Sequence, residues 1–281
     1  MIVQLPKLIS LQFLSVLLNT IKKQNIQKIT FNWLKVESIA DETIGFYLSF
    51  VSYLEENKID LICENEKQCS CYQRIKNIQY CNISERTDFC KDIYVASVKT
   101  LEEQEQLRMQ MKGFFRFCIN IGNKDIQPID TIFSELFMNI CQHSANQNGF
   151  VFMPFLYKKN SIILVMSDLG EGIVNVIRNF FINTPFKMDA NAIQYATVNF
   201  VTTKSTETNQ GRGLNILKTI IMSTKGTLQI YSAKGLYQIR EGKEILSNLP
   251  YQHIGTLIKI NIPIEKLPEK ENEFFLQDID F

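Results

Sequence analysis

Between Ile132 and Asp168 the chain reads as one helix followed at once by two strands, and this succession constrains the fold more than any other stretch. In "IFSELFMNICQH" the residues Ile132, Leu136 and Ile140 recur at helical spacing, giving one flank suited to a core. "GFVFMPFLYKKNSIILVMSD" then carries two apolar, β-branched and aromatic runs parted by a polar turn at Lys158 to Asn160. A helix feeding a hairpin points to a layered fold of α and β elements.

Other text extends the pattern on both sides. Upstream, "SVLLNTIKKQN" and "ADETIGFYLSFVSYLEENK" have helical periodicity, and "QKITFNWLKV" and "IDLICEN" read as strands, so the first segment is an αβαβ unit. "TLEEQEQLRMQMKGFFRFC", Thr100 to Cys118, is rich in helix formers and acidic at its start, and is taken as the first helix of a second domain. Downstream, Ile173 to Gln210 has helical patches such as "DANAIQYATVNFV" and ends in the polar "TTKSTETNQ", either a mobile lid or a surface connection. "GLNILKTIIMSTKG" reads as a helix closed by Gly226, and "TLQIYS", "LYQIR" and "TLIKINIPI" as three more strands. The acidic end, "EKENEFFLQDIDF", is a docking tail or a last helix.

Composition narrows the function classes. With 281 residues, 45% of them hydrophobic, the chain can bury a core and is long enough for two modest domains. Lys and Arg number 30 against 29 Asp and Glu, without a long run of one sign, so nothing suggests a phosphate-backbone footprint and nucleic acid is not an expected partner. Seven cysteines is an odd count, and "CSC" at Cys69 and Cys71 lacks the spacing of a structural zinc site, which favours reduced, mostly buried thiols. "LISLQFLSVLL" is broken by polar residues and too short to span a bilayer. A soluble cytoplasmic protein with no membrane partner is the expectation.

Three short motifs carry chemistry. Glu135, Asn139 and His143 stand at i, i+4 and i+8, one stripe along the helix, which alone would also suit a solvated face. "SDLGEGI" places Asp168 at the end of a strand with Gly170 and Gly172 behind it, a carboxylate acceptor beside backbone that a ligand can approach closely, or simply a turn. "NQGRGLNIL" sets Gly211 and Gly213 before an apolar helix, whose free amides can cradle a phosphate with Arg212 adding charge; the plain alternative is a flexible loop. A third glycine for a dinucleotide fingerprint is missing, and so is the Lys-Ser/Thr ending of a P-loop.

In this order the three motifs resemble the GHKL ATPase superfamily of gyrase, MutL, histidine kinases and anti-sigma-factor serine kinases. "ELFMNICQH" looks like its N box, "DLGEGI" and "GRGLNIL" like its glycine boxes, and "GTLIKINIPI" like its closing strand, over roughly Thr100 to Ile264. "TTK" shortly before the second glycine box is most similar to the anti-sigma kinase branch.

The resemblance implies ATP and Mg²⁺ as cofactors. Asn139 would ligate the Mg²⁺ that bridges the phosphates, Glu135 would be the general base, and His143 would frame the phosphate side. Asp168 would accept from the adenine amino group with Thr256 in support, while Gly170 and Gly172 allow close approach. Gly211 and Gly213 would wrap the phosphates, and Lys204, Arg212 and Leu214 belong to the same nucleotide-binding set.

"ITFNWLKVESIADETIGFYLSFVSYLEENKIDLICEN" is similar to STAS domains, with the acceptor-serine loop replaced by "IADETIG" and Thr43 as a displaced acceptor. The expected architecture is therefore α/β (α+β). A STAS-like α/β domain over 1–92 precedes a GHKL ATPase domain over 93–281, the latter a Bergerat-type sandwich of a mixed sheet covered by helices.

The implied role is a regulatory switch that phosphorylates a Ser or Thr on a protein partner or binds it in an ATP-dependent way. A clamp ATPase whose lid closure controls dimerisation or partner grip, and a nucleotide-sensing module with negligible turnover, are the alternatives; a homodimer fits the superfamily. Only two histidines occur, His143 and His253, so a phosphoacceptor helix before the ATP site is not expected and a sensor histidine kinase is discounted.

Overall fold

A computed structural model describes residues 1–77, 93–98, 122–143, 149–154, 160–183, 185–198 and 213–270, with five further helical positions between 102 and 109. Parallel and antiparallel sheets combine with helices in a mixed α and β architecture. The first unit contains strands β1 (Ile2–Gln4), β2 (Leu8–Ile9), β3 (Lys28–Asn32), β4 (Ser38–Ile39) and β5 (Asp60–Glu64) with helices α1 (Leu11–Lys23), α2 (Asp41–Glu56) and α3 (Ser70–Asn77). Strands β1, β3 and β5 form a parallel sheet in the order β1-β3-β5, and β2 pairs with β4. The two opening strands are too short to carry a period of two, so their sequence signal is absent.

Local signals account for the helices. Ser10 caps α1 by accepting from the Phe13 amide, and Lys22 and Lys23 sit at its negative end. Helix α2 has no side-chain cap, but Asp41 and Glu42 occupy its first turn, where the helix dipole favours negative charge.

The second unit has a five-stranded sheet of β6 (Ile93–Val98), β7 (Gly149–Pro154), β8 (Ser161–Asp168), β9 (Thr227–Arg240) and β10 (Lys243–Pro263), in the order β6-β7-β8-β10-β9. A mixed sheet was expected here; every pairing among the described strands is antiparallel. Short links explain the difference: β7 runs into β8 and β9 into β10 as hairpins, the latter turning on Glu241 and Gly242, both at positive φ. The three late strands expected from the sequence are two, because β9 is continuous and β10 spans 21 residues with register shifts on both sides of His253.

Helices α4 (Gln127–His143), α5 (Ile173–Phe180), α6 (Asp189–Ala196) and α7 (Gly213–Ser223) cover one face of this sheet. Alternation along the strands sorts the two faces. Leu164, Met166, Leu228, Ile230, Ile258 and Ile260 pack with Ile132, Phe133, Leu136 and Phe137 of α4. Phe150, Val165, Tyr231 and Leu257 point the other way, into a core shared with α1, α2 and the parallel sheet. Four layers result: parallel sheet, α1 with α2, antiparallel sheet, and α4 to α7.

This explains two sequence features. "IILVM" is apolar at every position because both faces of β8 are covered. Helix α2 is buried almost all round because Phe50 stacks on Phe31 of the parallel sheet while Phe46 meets His253 of the other. Thr43, the displaced acceptor, is on that helix and only 1% exposed. Among the described residues no helix is long and apolar enough to cross a membrane.

Candidate functional site

One register row across the antiparallel sheet gathers the polar groups. Gly149 pairs with Asp168, Asp168 with Thr256, and Thr256 with Ser232, so four strands contribute at one end of the sheet. Alternation places the Asp168, Thr256 and Ser232 side chains toward the helical layer. There they collect amides of the loop that follows β8 and of the first turn of α5: Gly170 N donates to Asp168 Oδ1 at 2.8 Å, Ile173 N to Thr256 Oγ1 at 3.3 Å, and Val174 N to Ser232 Oγ at 3.3 Å. Helix α5 begins at an N-cap glycine, Gly172, that has no side chain to offer. Its orphan amides are met instead by residues of β9 and β10.

Two glycines let the backbones close on one another. Gly255 has φ +73°, and a Cβ there would collide with the Asp168 carbonyl. Gly172 has φ +82°, and a Cβ would lie 2.7 Å from the Gly255 oxygen and 2.8 Å from Ser232 Oγ. Neither position accommodates a side chain. Burial raises the Asp168 carboxyl to about 6, opposed by its bonds from Gly170 and Thr256. The half-buried side chain is left with acceptor capacity beside backbone that carries no side chain at Gly172 and Gly255.

A second cluster forms where α4 meets α7. The space a Cβ of Gly213 would fill lies 2.5 Å from Glu135 Oε2, so the carboxylate of the polar stripe abuts the start of α7. Burial raises the Glu135 carboxyl above its ordinary value. Asn139 lies one turn further along α4, half-buried, on the same stripe, while Leu214 packs against the apolar core. Arg108 forks onto both oxygens of Asp130 at 2.9 and 3.3 Å, tying an earlier helical stretch to the start of α4.

The structure thus brings Asp168, Gly170, Gly172 and Thr256 together, and separately Glu135 with Gly213. His143 ends α4, six residues before Gly149 of the polar row, but its side chain is outside the described residues. Lys204, Gly211 and Arg212 are also outside them. Sequence reasoning missed Ser232 and, as a site residue in its own right, Gly255. The Gly-Thr pair that opens "GTLIKINIPI" was a usable signal for Gly255; Ser232 had none, since its place is set by pairing across β10. Among the described residues no group of three or more His, Cys, Asp or Glu could hold a metal ion, and Cys63, Cys69 and Cys71 are free thiols. No protein-family model matches the chain, and a search of curated proteins finds no match either.

Proposed function

We propose that this chain is a Mg²⁺-ATP-binding protein of the GHKL type that acts as a regulatory switch on a protein partner. In this reading the antiparallel sheet with α4 to α7 is the Bergerat-type sandwich and the first unit is STAS-like. The observation that carries the reading is the polar row, with Asp168 and Thr256 paired across β8 and β10 and closed by Gly172 and Gly255. A half-buried carboxylate acceptor beside side-chain-free backbone suits a flat base with an exocyclic amino group.

Glu135 and Asn139 supply the phosphate end. A hard cation bridging phosphates takes most of its oxygens from phosphate and water, so the single carboxamide of Asn139 fits a Mg²⁺ site that needs no acidic cluster. Glu135, held above its ordinary pKa beside Gly213, can accept a proton from water or a substrate hydroxyl. Mg²⁺ would neutralise the charge that develops on the transferred phosphoryl group. Lys204, Gly211 and Arg212 complete the proposed phosphate wrapping.

Phosphorylation of a Ser or Thr on a partner protein, or ATP-dependent binding to that partner, is favoured over modification of the first unit, because Thr43 is buried. Calorimetry with Mg²⁺-ATP on wild type and Asn139→Ala tests the reading. Binding by wild type that weakens tenfold or more in the variant, about 1.4 kcal/mol, is the expected result. Wild-type protein that takes up no nucleotide ends it.

A further inference from the structure

The first unit grips two of the four strands that carry the polar row, β8 and β10. Ser49 Oγ on α2 donates to the carbonyl of Ser167 at 3.3 Å, and both residues are buried. That carbonyl belongs to the planar peptide unit that leads directly into Asp168, so holding it fixes the plane from which the Asp168 side chain departs. The Ser167 hydroxyl itself finds no partner among the described residues.

Strand β10 is held in the same way. His253 Nδ1 and Ser15 Oγ of α1 are 3.1 Å apart, and Asn19 Nδ2 donates to the Gln252 carbonyl at 2.8 Å. These contacts flank the register shifts that bring Gly255 against Asp168. Leu169, next to Asp168, and Ile254, two residues before Thr256, pack into the core that the sheet shares with the first unit. An ion pair from Glu42 of α2 to Lys259 of β10, 2.8 Å long, joins the layers again.

We infer that Ser49 is a positioning residue for Asp168, through which α2 of the first unit sets the base-binding end of the site. The inference rests on the reading of Asp168 as the acceptor of the adenine amino group. It makes the first unit a part of the nucleotide site without touching nucleotide. A hydrogen bond of ordinary strength is at stake, so its loss is read as a several-fold change in affinity.

The test uses the full chain with Ser49→Ala and Ser49→Thr, the second retaining the hydroxyl. Calorimetry with Mg²⁺-ATP and with inorganic tripolyphosphate separates the two ends of the site. Ser49→Ala is expected to weaken ATP about fivefold to tenfold while tripolyphosphate binds as before, and Ser49→Thr to restore ATP. Amide exchange in ligand-free protein gives a second readout: Gly170 N–H, which bonds Asp168 Oδ1, loses protection in Ser49→Ala while Phe31 in β3 does not.

Equal ATP affinity in wild type and Ser49→Ala overturns the inference, as does unchanged protection at Gly170. Equal weakening of ATP and tripolyphosphate also overturns it, since a general loosening would do that. If wild type binds no ATP, the nucleotide reading falls, and the exchange at Gly170 still decides whether Ser49 positions Asp168.

Discussion

His253 is 1% exposed, wedged between the rings of Phe46 and Tyr231 at centroid distances of 4.7 and 6.3 Å, with Nε2 unpartnered among the described residues. Burial lowers its pKa to about 3. A histidine held neutral in the fold is protonated first in the unfolded chain, so its contribution is complete above about 6.5 and is lost as pH falls toward 3. Asp168 works in the opposite sense: its folded pKa of about 6 lies above the ordinary 3.8, so its contribution is present below 3.8 and lost as pH rises through 6. Urea unfolding of wild type and His253→Phe across this range is expected to show that the variant lacks a slope of up to about 1.4 kcal/mol per pH unit between pH 6.5 and 3. Parallel stability curves for the two proteins would refute the assignment. None of this was legible in the sequence, where His253 is one residue between late strands.

Among the elements, the end of α7 shows how a sequence signal can be right in place and wrong in residue. Gly226 was expected to close the helix, but the left-handed residue is Lys225, at φ +50°, with Lys225 N donating to Met222 O at 3.3 Å and Gly226 N to Ile221 O at 2.9 Å. Gly226 is needed for another reason: a Cβ there would lie 2.7 Å from the Asn261 carbonyl of β10. Lys225→Gly is therefore expected to raise stability by about 1 kcal/mol, and Gly226→Ala to lower it by more, both measurable by urea midpoint. The long periodic helices α1, α2, α4 and α7 and the strands β3, β5, β7 and β8 were legible because each carries its own period. Strands β1 and β2 were not, being two or three residues held by pairing with β3 and β4. The length of β10 was hidden by Pro250 and the register shifts around His253.

At the scale of the whole molecule, both faces of the antiparallel sheet are covered at its described centre. Phe150, Val165, Tyr231 and Leu257 would meet water if the first unit were absent. A fragment of residues 93–281 is expected to bind an apolar dye and to aggregate, whereas the full chain does neither; a soluble, dye-silent fragment would show that the shared core is dispensable. Here too lies the limit on reading the site. Asp168, Thr256 and Ser232 form one row only because β8, β10 and β9 are neighbours, and pairing between residues as far apart as Asp168 and Thr256 leaves no local mark. The polar stripe of Glu135 and Asn139 was legible, since one helix carries it.

Helices α1 and α2 also have a history in time. They leave the ribosome with the faces bearing Leu14, Phe46 and Ser49 complete, yet the strands that cover them end only at residue 263. At synthesis rates of roughly 5–20 residues per second that interval is about 10–40 s, long enough for an exposed apolar surface to meet a chaperone or another nascent chain. The speed at which the second half is translated therefore sets how long that surface waits for its cover.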